Sequence, residues 1–189
     1  MATDATVIDD MRRWLERAVI GLNLCPFAKA VHTKGQIHYA VSAATDAEGL
    51  RQDLIFELKE LLAQEPSARD TTLLIAPKVL TEFLDFNHFL GIADRVLRKM
   101  KLDGTLQIAS FHPDFQFGGT DADDITNYTN RAPYPCLHLL REASIDRAVA
   151  AFPEAEMIFE RNMQTLASLG QGGWDALGVG KSPDEDPQK

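Results

Sequence analysis

Residues Ser110–Glu142 read S-F-H-P-D-F-Q-F-G-G-T-D-A-D-D-I-T-N-Y-T-N-R-A-P-Y-P-C-L-H-L-L-R-E. The stretch begins inside a strand, because Leu106–Phe111 is an apolar, β-prone run that follows an Asp103-Gly104 turn. It ends in a predicted helix carrying Leu137, Leu139 and Leu140, since Pro135 suits a first helical turn, where its missing N–H costs nothing. Between them lies a long polar segment. Connections in compact domains usually span about 4–6 residues, and much longer ones are functional or disordered. Aromatics and prolines argue against disorder here, so a functional loop is expected.

Working outward, the N-terminal side supplies two strands and three helices. Thr6-x-x-Asp9 resembles a capping box, followed by an apolar stripe at Val7, Ile8, Met11, Trp14, Leu15, Ala18, Val19 and Leu22, with Asp10, Arg13 and Arg17 on the other side. The helix must stop before Pro26, which leaves Cys25 at its end. Gln36–Ser42 alternates as a strand. Thr45-x-x-Glu48 is a second capping box, ahead of a leucine-striped helix. Thr71–Ala76 is a continuous apolar run, which fits a strand buried on both faces of a parallel sheet. A third helix starts near Thr81. On the C-terminal side Pro153 opens a last helix to Leu169, ended by Gly170, Gly172 and Gly173, with Trp174 as an apolar anchor.

This order implies an α/β fold: a small three-layer or two-layer sandwich with a mostly parallel sheet of about three strands and flanking helices. Residues 1–175 are read as one domain and 176–189 as a disordered tail. Ligands in open sheets of this kind bind beyond the carboxyl ends of the strands. Three stretches end there: Ser42–Thr45, Pro77-Lys78 and Phe111–Asp114.

Composition narrows the partners. A hydrophobic content of 45% with 25% charged residues is that of a soluble globular protein. The net charge of −9 argues against nucleic acid, and no apolar run is long enough for a membrane span. An acidic N-terminus without an export pattern points to the cytoplasm, and two cysteines do not make a disulfide scaffold.

Within the loop, His112 and Asp114 leave the third strand together, and a histidine beside a carboxylate can act as general acid or base. Arg131 offers a planar fork for an anionic small molecule, assisted by Asn130, Asn127, Tyr128, His138 or Lys78 and by a helix N-terminus after Pro135. Cys25 is a candidate nucleophile if a cation favours its thiolate, although a buried structural thiol is commoner. Asp121, Asp123 and Asp124 read as caps more readily than as ligands. A divalent metal held by them, or by His112, Asp114 and His138, is possible but not favoured, because no metal-binding spacing is present. No cofactor signature is recognisable.

The segments G-L-N-L-C-P-F-A, A-S-F-H-P-D-F-Q-F-G-G-T and D-D-I-T-N-Y-T-N-R-A-P-Y-P-C-L-H-L-L-R-E resemble the bacterial family called domain of unknown function 1415, from about the first helix to Trp174. The resemblance implies an intact domain in a bacterial cytosol and transfers no activity. The residues themselves point to a small-molecule enzyme, a hydrolase or group transferase acting on an anionic substrate at 112–135. The alternatives are a non-catalytic ligand-binding or regulatory module using the same pocket, and a structural or interaction protein.

Overall fold

Four strands form one sheet in the order β1-β2-β4-β3, with β1 at Ile37–Val41, β2 at Thr71–Ile75, β3 at Leu106–Phe111 and β4 at Cys136–Arg141. The structure, a computed structural model, describes residues 2–152 and 154–183. β1 and β2 pair in parallel, whereas β4 runs antiparallel to both β2 and β3. Hence β1, β2 and β3 share a direction and a carboxyl edge, and β4 returns between two of them. The sheet is therefore mixed and four-stranded, wider and less parallel than the sequence suggested.

The difference comes from one element. Residues 136–141, expected as a helix, are the strand β4. Its neighbours are strands on both sides, with Leu139 opposite Thr72 and Ile108. Leu137 and Leu139 face one helical layer while Cys136 faces the other. A strand covered on both faces reads as an unbroken apolar run, which periodicity alone cannot separate from a buried helix. Pro135 sits at the entrance of the strand, and its carbonyl accepts the Ala76 N–H at 2.8 Å. The helix N-terminus expected after Pro135 is therefore absent, and with it that part of the anticipated anion site. The next helix, α5, begins only at Glu142 and ends at Ala150.

Helices cover both faces, which makes three layers. On one side lie α3 (Ala47–Ala63) and α4 (Phe83–Lys99), packing Leu50, Leu54, Leu58, Leu61, Phe86 and Phe89 onto Leu74, Leu137 and Leu139. Fully burying each such side chain contributes about 1.5–3 kcal/mol. On the other side lie α1 (Asp4–Trp14), its π-helical continuation Leu15–Ile20 and α6 (Ile158–Ala176). A short α2 (Ala28–Thr33) occupies what reads as loop before β1.

Details at the helix ends also depart from the sequence reading. The cap of α1 is Thr3, which accepts the Thr6 N–H, and that of α3 is Asp46, which accepts the Gly49 N–H. Short acceptor side chains recur near both starts, so sequence alone leaves the turn of entry open by one to three residues. Gly170 does break the helical path, at φ 65°, yet the chain resumes helix to Ala176. That resumption brings Gly173 so near Leu169 that an added Cβ would lie 2.5 Å from Leu169 Cδ1. It also sets Trp174 edge-on to Tyr128, at 4.9 Å between ring centroids. Beyond α6, residues 177–182 dock on α1 and its π-helical continuation rather than trailing free: Arg17 donates to Leu177 O and Arg13 to Gly180 O. Pro153, proposed to open the last helix, and the tail beyond residue 183 lie outside the described residues. No described helix is long and apolar enough to cross a membrane.

Candidate functional site

At the end of β3 the chain turns through Pro113, and this turn fixes His112. The ring is 0% exposed. Its Nδ1 accepts the Asp114 backbone N–H at 3.0 Å, so Nε2 carries the proton and donates to Leu80 O at 3.1 Å. Phe83 and Phe86 pack against it at 5.5 and 5.1 Å between centroids. Burial pushes the His112 pKa down, against the raising effects of the Leu80 carbonyl and the Asp114 charge. Asp114 thus orients His112 through its main chain. The Asp114 carboxylate itself makes no hydrogen bond to the ring, because the proline-stiffened turn presents the Asp114 N–H to it while the residue is exposed.

The loop behind this turn is held from within. Asn127, 0% exposed, accepts the Phe117 N–H at 2.9 Å and donates to Asp121 O at 2.8 Å. Asp124 caps the 3₁₀ helix Ile125–Thr129 by accepting from Thr126 N and Oγ1, and those bonds hold its carboxyl below the usual range. Asn130 accepts the His112 N–H on its carbonyl and donates from Nδ2 to Ser110 O, sealing the carboxyl end of the β3 edge. Arg131 donates from Nε to Phe115 O and from Nη2 to Ala122 O, and its guanidinium lies 4.5 Å over the Tyr128 ring.

The remaining candidates stand apart. His138 lies mid-strand in β4, near Phe111. Thr71 Oγ1 gives its only proton to Leu139 O, so His138 Nε2, 2.7 Å away, is the donor to Thr71. Burial lowers the His138 pKa to about 4. Lys78 is exposed beyond β2 and makes no ion pair among the described residues. Cys25 follows Leu24, whose carbonyl accepts from Asn162 Nδ2, and burial raises its thiol pKa. Among the described residues no group of three or more His, Cys, Asp or Glu could hold a metal ion.

Two constellations carry no motif. At the carboxyl end of β1, a cleft of about 380 Å³ is lined by Ala40–Ala44 and by Gly49, Gln52, Asp53 and Phe56 of α3. Ser42 Oγ donates to Asp53 Oδ2 at 2.5 Å. Phe56 is 59% exposed. The small side chains at 40, 43 and 44 leave the hollow, a hint visible in the sequence only once α3 is known to lie over β1. On the opposite face, Asp10 is fully buried, where its sequence position had placed it with the polar residues. Residues 7, 10 and 14 are spaced three and four apart and share the inward stripe. Its carboxylate accepts from Arg13, Tyr134 Oη and both the N–H and Oγ of Ser182. Desolvation raises the Asp10 pKa, but these donors outweigh it and hold the carboxyl below its ordinary value.

A second cleft of about 210 Å³ lies between Asn23, Pro26 and α6, beside Arg161 and Asn162. Neither cleft is lined by a residue of the 112–135 loop. Searches of curated proteins and of solved structures matched nothing. The family model described as protein of unknown function (DUF1415) matches residues 6–176, and the chain belongs to that family.

Proposed function

We propose that the protein is a ligand-binding module, with its site in the cleft between β1 and α3, and that the 112–135 loop is a structural cover at the other end of the same sheet edge. The observation that carries this reading is a contrast in how polar groups are used. His112, Asn127, Asn130 and Arg131 spend hydrogen-bonding groups on main-chain partners within the loop and in the elements it covers, Leu80 O and Ser110 O among them. Asp53 instead lines an open cleft with one donor, Ser42, and no cationic partner among the described residues.

A carboxylate beside an exposed aromatic ring favours a ligand with hydrogen-bond donors, best a positive charge, and an apolar part to lie on Phe56. This differs from the anionic substrate expected at Arg131, the acid–base role expected at His112 with Asp114, and the nucleophile role expected of Cys25. Thermal-shift screening of matched sets of small cations and anions tests it. Stabilising compounds should be cationic and should lose their effect with Asp53→Asn while keeping it with Arg131→Gln. Stabilisation by anions that vanishes with Arg131→Gln would return the site to the loop.

A further inference from the structure

We infer that the occupant of the β1 cleft is a basic side chain carried on an extended peptide, which adds as a strand to the open edge of β1. This rests on the binding reading above and names the ligand class. β1 is an outer strand, paired only with β2. Ser42 N–H donates to Ile75 O and Gln36 O accepts from Thr71 N, so even-numbered residues turn their main chain toward β2. Main-chain groups alternate along a strand, so those of Ile37, Tyr39 and Val41 face outward, and they take no partner among the described residues.

Exposed edges are usually guarded by lysine, proline or a bulge. The sequence Ile-His-Tyr-Ala-Val has neither lysine nor proline, and its register with β2 runs without a bulge. The other outer strand differs, because Asn130 seals the carboxyl end of β3. An unguarded edge beside a cleft is the arrangement used in β-strand addition, where main-chain bonds give affinity and a pocket for alternate side chains gives specificity.

The cleft selects the side chain. Ala40 and Ser42 point to the α3 side, so a residue of an added strand level with them, about 4.8 Å away, also points there. It would meet Phe56 and Asp53. Glu57 is occupied by Arg69, which leaves Asp53 as the carboxylate for an incoming cation. A lysine or arginine matches both features, its stem along Phe56 and its head at Asp53, and the chain's net charge of −9 favours a basic partner. A second copy of β1 would bring no lysine or arginine to Asp53.

Titration of the ¹⁵N-labelled full chain with acetyl-Val-Thr-Lys-Val-Thr-amide, followed by NMR, tests this. The amide signals of Ile37, Tyr39 and Val41 should shift and their hydrogen exchange should slow. Replacing the peptide lysine by glutamine, or using Asp53→Asn or the surface variant Phe56→Ala, should weaken binding about tenfold or more. Equal binding of the glutamine peptide, or β1 amides that do not move, overturns the inference. Acetyl-lysine-methylamide separates the two levels: if it binds the cleft while the peptide does not engage β1, the cleft reading stands and strand addition falls. If neither perturbs β1 or α3, both fall. Concentration-dependent pairing of β1 with β1 in the free protein would also overturn it.

Discussion

A single histidine illustrates how much a residue's role depends on where its nitrogens point. His112 occupies the position at a strand's carboxyl end where general acids and bases sit, yet both nitrogens are engaged and two phenylalanines enclose the ring. His112→Ala should destabilise the fold by roughly 2–4 kcal/mol, through two lost hydrogen bonds and a cavity, as measured by urea denaturation. His138 gives a pH signature. Its folded-state pKa of about 4 lies below the ordinary 6.5, so the unfolded chain binds the extra proton first as pH falls. Stability from this group is intact above pH 6.5 and declines between about 6.5 and 4. His138→Gln should flatten that part of a stability–pH profile, and a profile identical to that of the unmodified chain would remove His138 from the account.

At the level of elements, β4 decides the sheet. Without it, β2 and β3 would have to pair in parallel. Leu139, 0% exposed in the centre of β4, packs against α3 and α4. Leu139→Ala should cost about 2–5 kcal/mol, and Leu140→Ala, at a half-buried position, less. Cross-strand NOEs from Leu139 to Thr72 and Ile108 would check the strand, whereas strong sequential amide–amide NOEs over 136–141 would indicate a helix and contradict it. The α1 helix shows the same dependence on neighbours. Its buried face includes Asp10 because donors from outside the helix meet it there.

For the molecule as a whole, the Asp10 cluster ties the first helix to the segment after α6 and to the residues just before β4: α1, Tyr134 and Ser182 converge on one carboxylate. Tyr134→Phe removes one donor from a buried charge and should destabilise by about 1.5–3 kcal/mol. Asp10 has a depressed folded-state pKa, so its contribution is present above the ordinary aspartate range and is lost as pH falls through the native value. Acid unfolding of Asp10→Asn should accordingly be shallower than that of the unmodified chain.

What the sequence determined by itself is what local patterning encodes. The 3.6-residue stripes located α1, α3 and α4, and the apolar runs located β1, β2 and β3 to within a residue or two. The long segment after Phe111, rich in turn-forming residues, was legible as an ordered loop, and Trp174 as an anchor. Tertiary structure decided the rest. Cys136–Arg141 became a strand because two strands offered it partners, and a six-residue stretch is too short for its apolar positions to carry a period that distinguishes the outcomes. His112, Asn127 and Arg131 were visible as polar candidates, but whether such groups face a ligand or a carbonyl depends on atoms distant in sequence, such as Leu80 O for His112. The β1 cleft was illegible for the converse reason: it is made by the absence of side-chain bulk at residues 40, 43 and 44, and a hollow exists only once α3 has been laid across it.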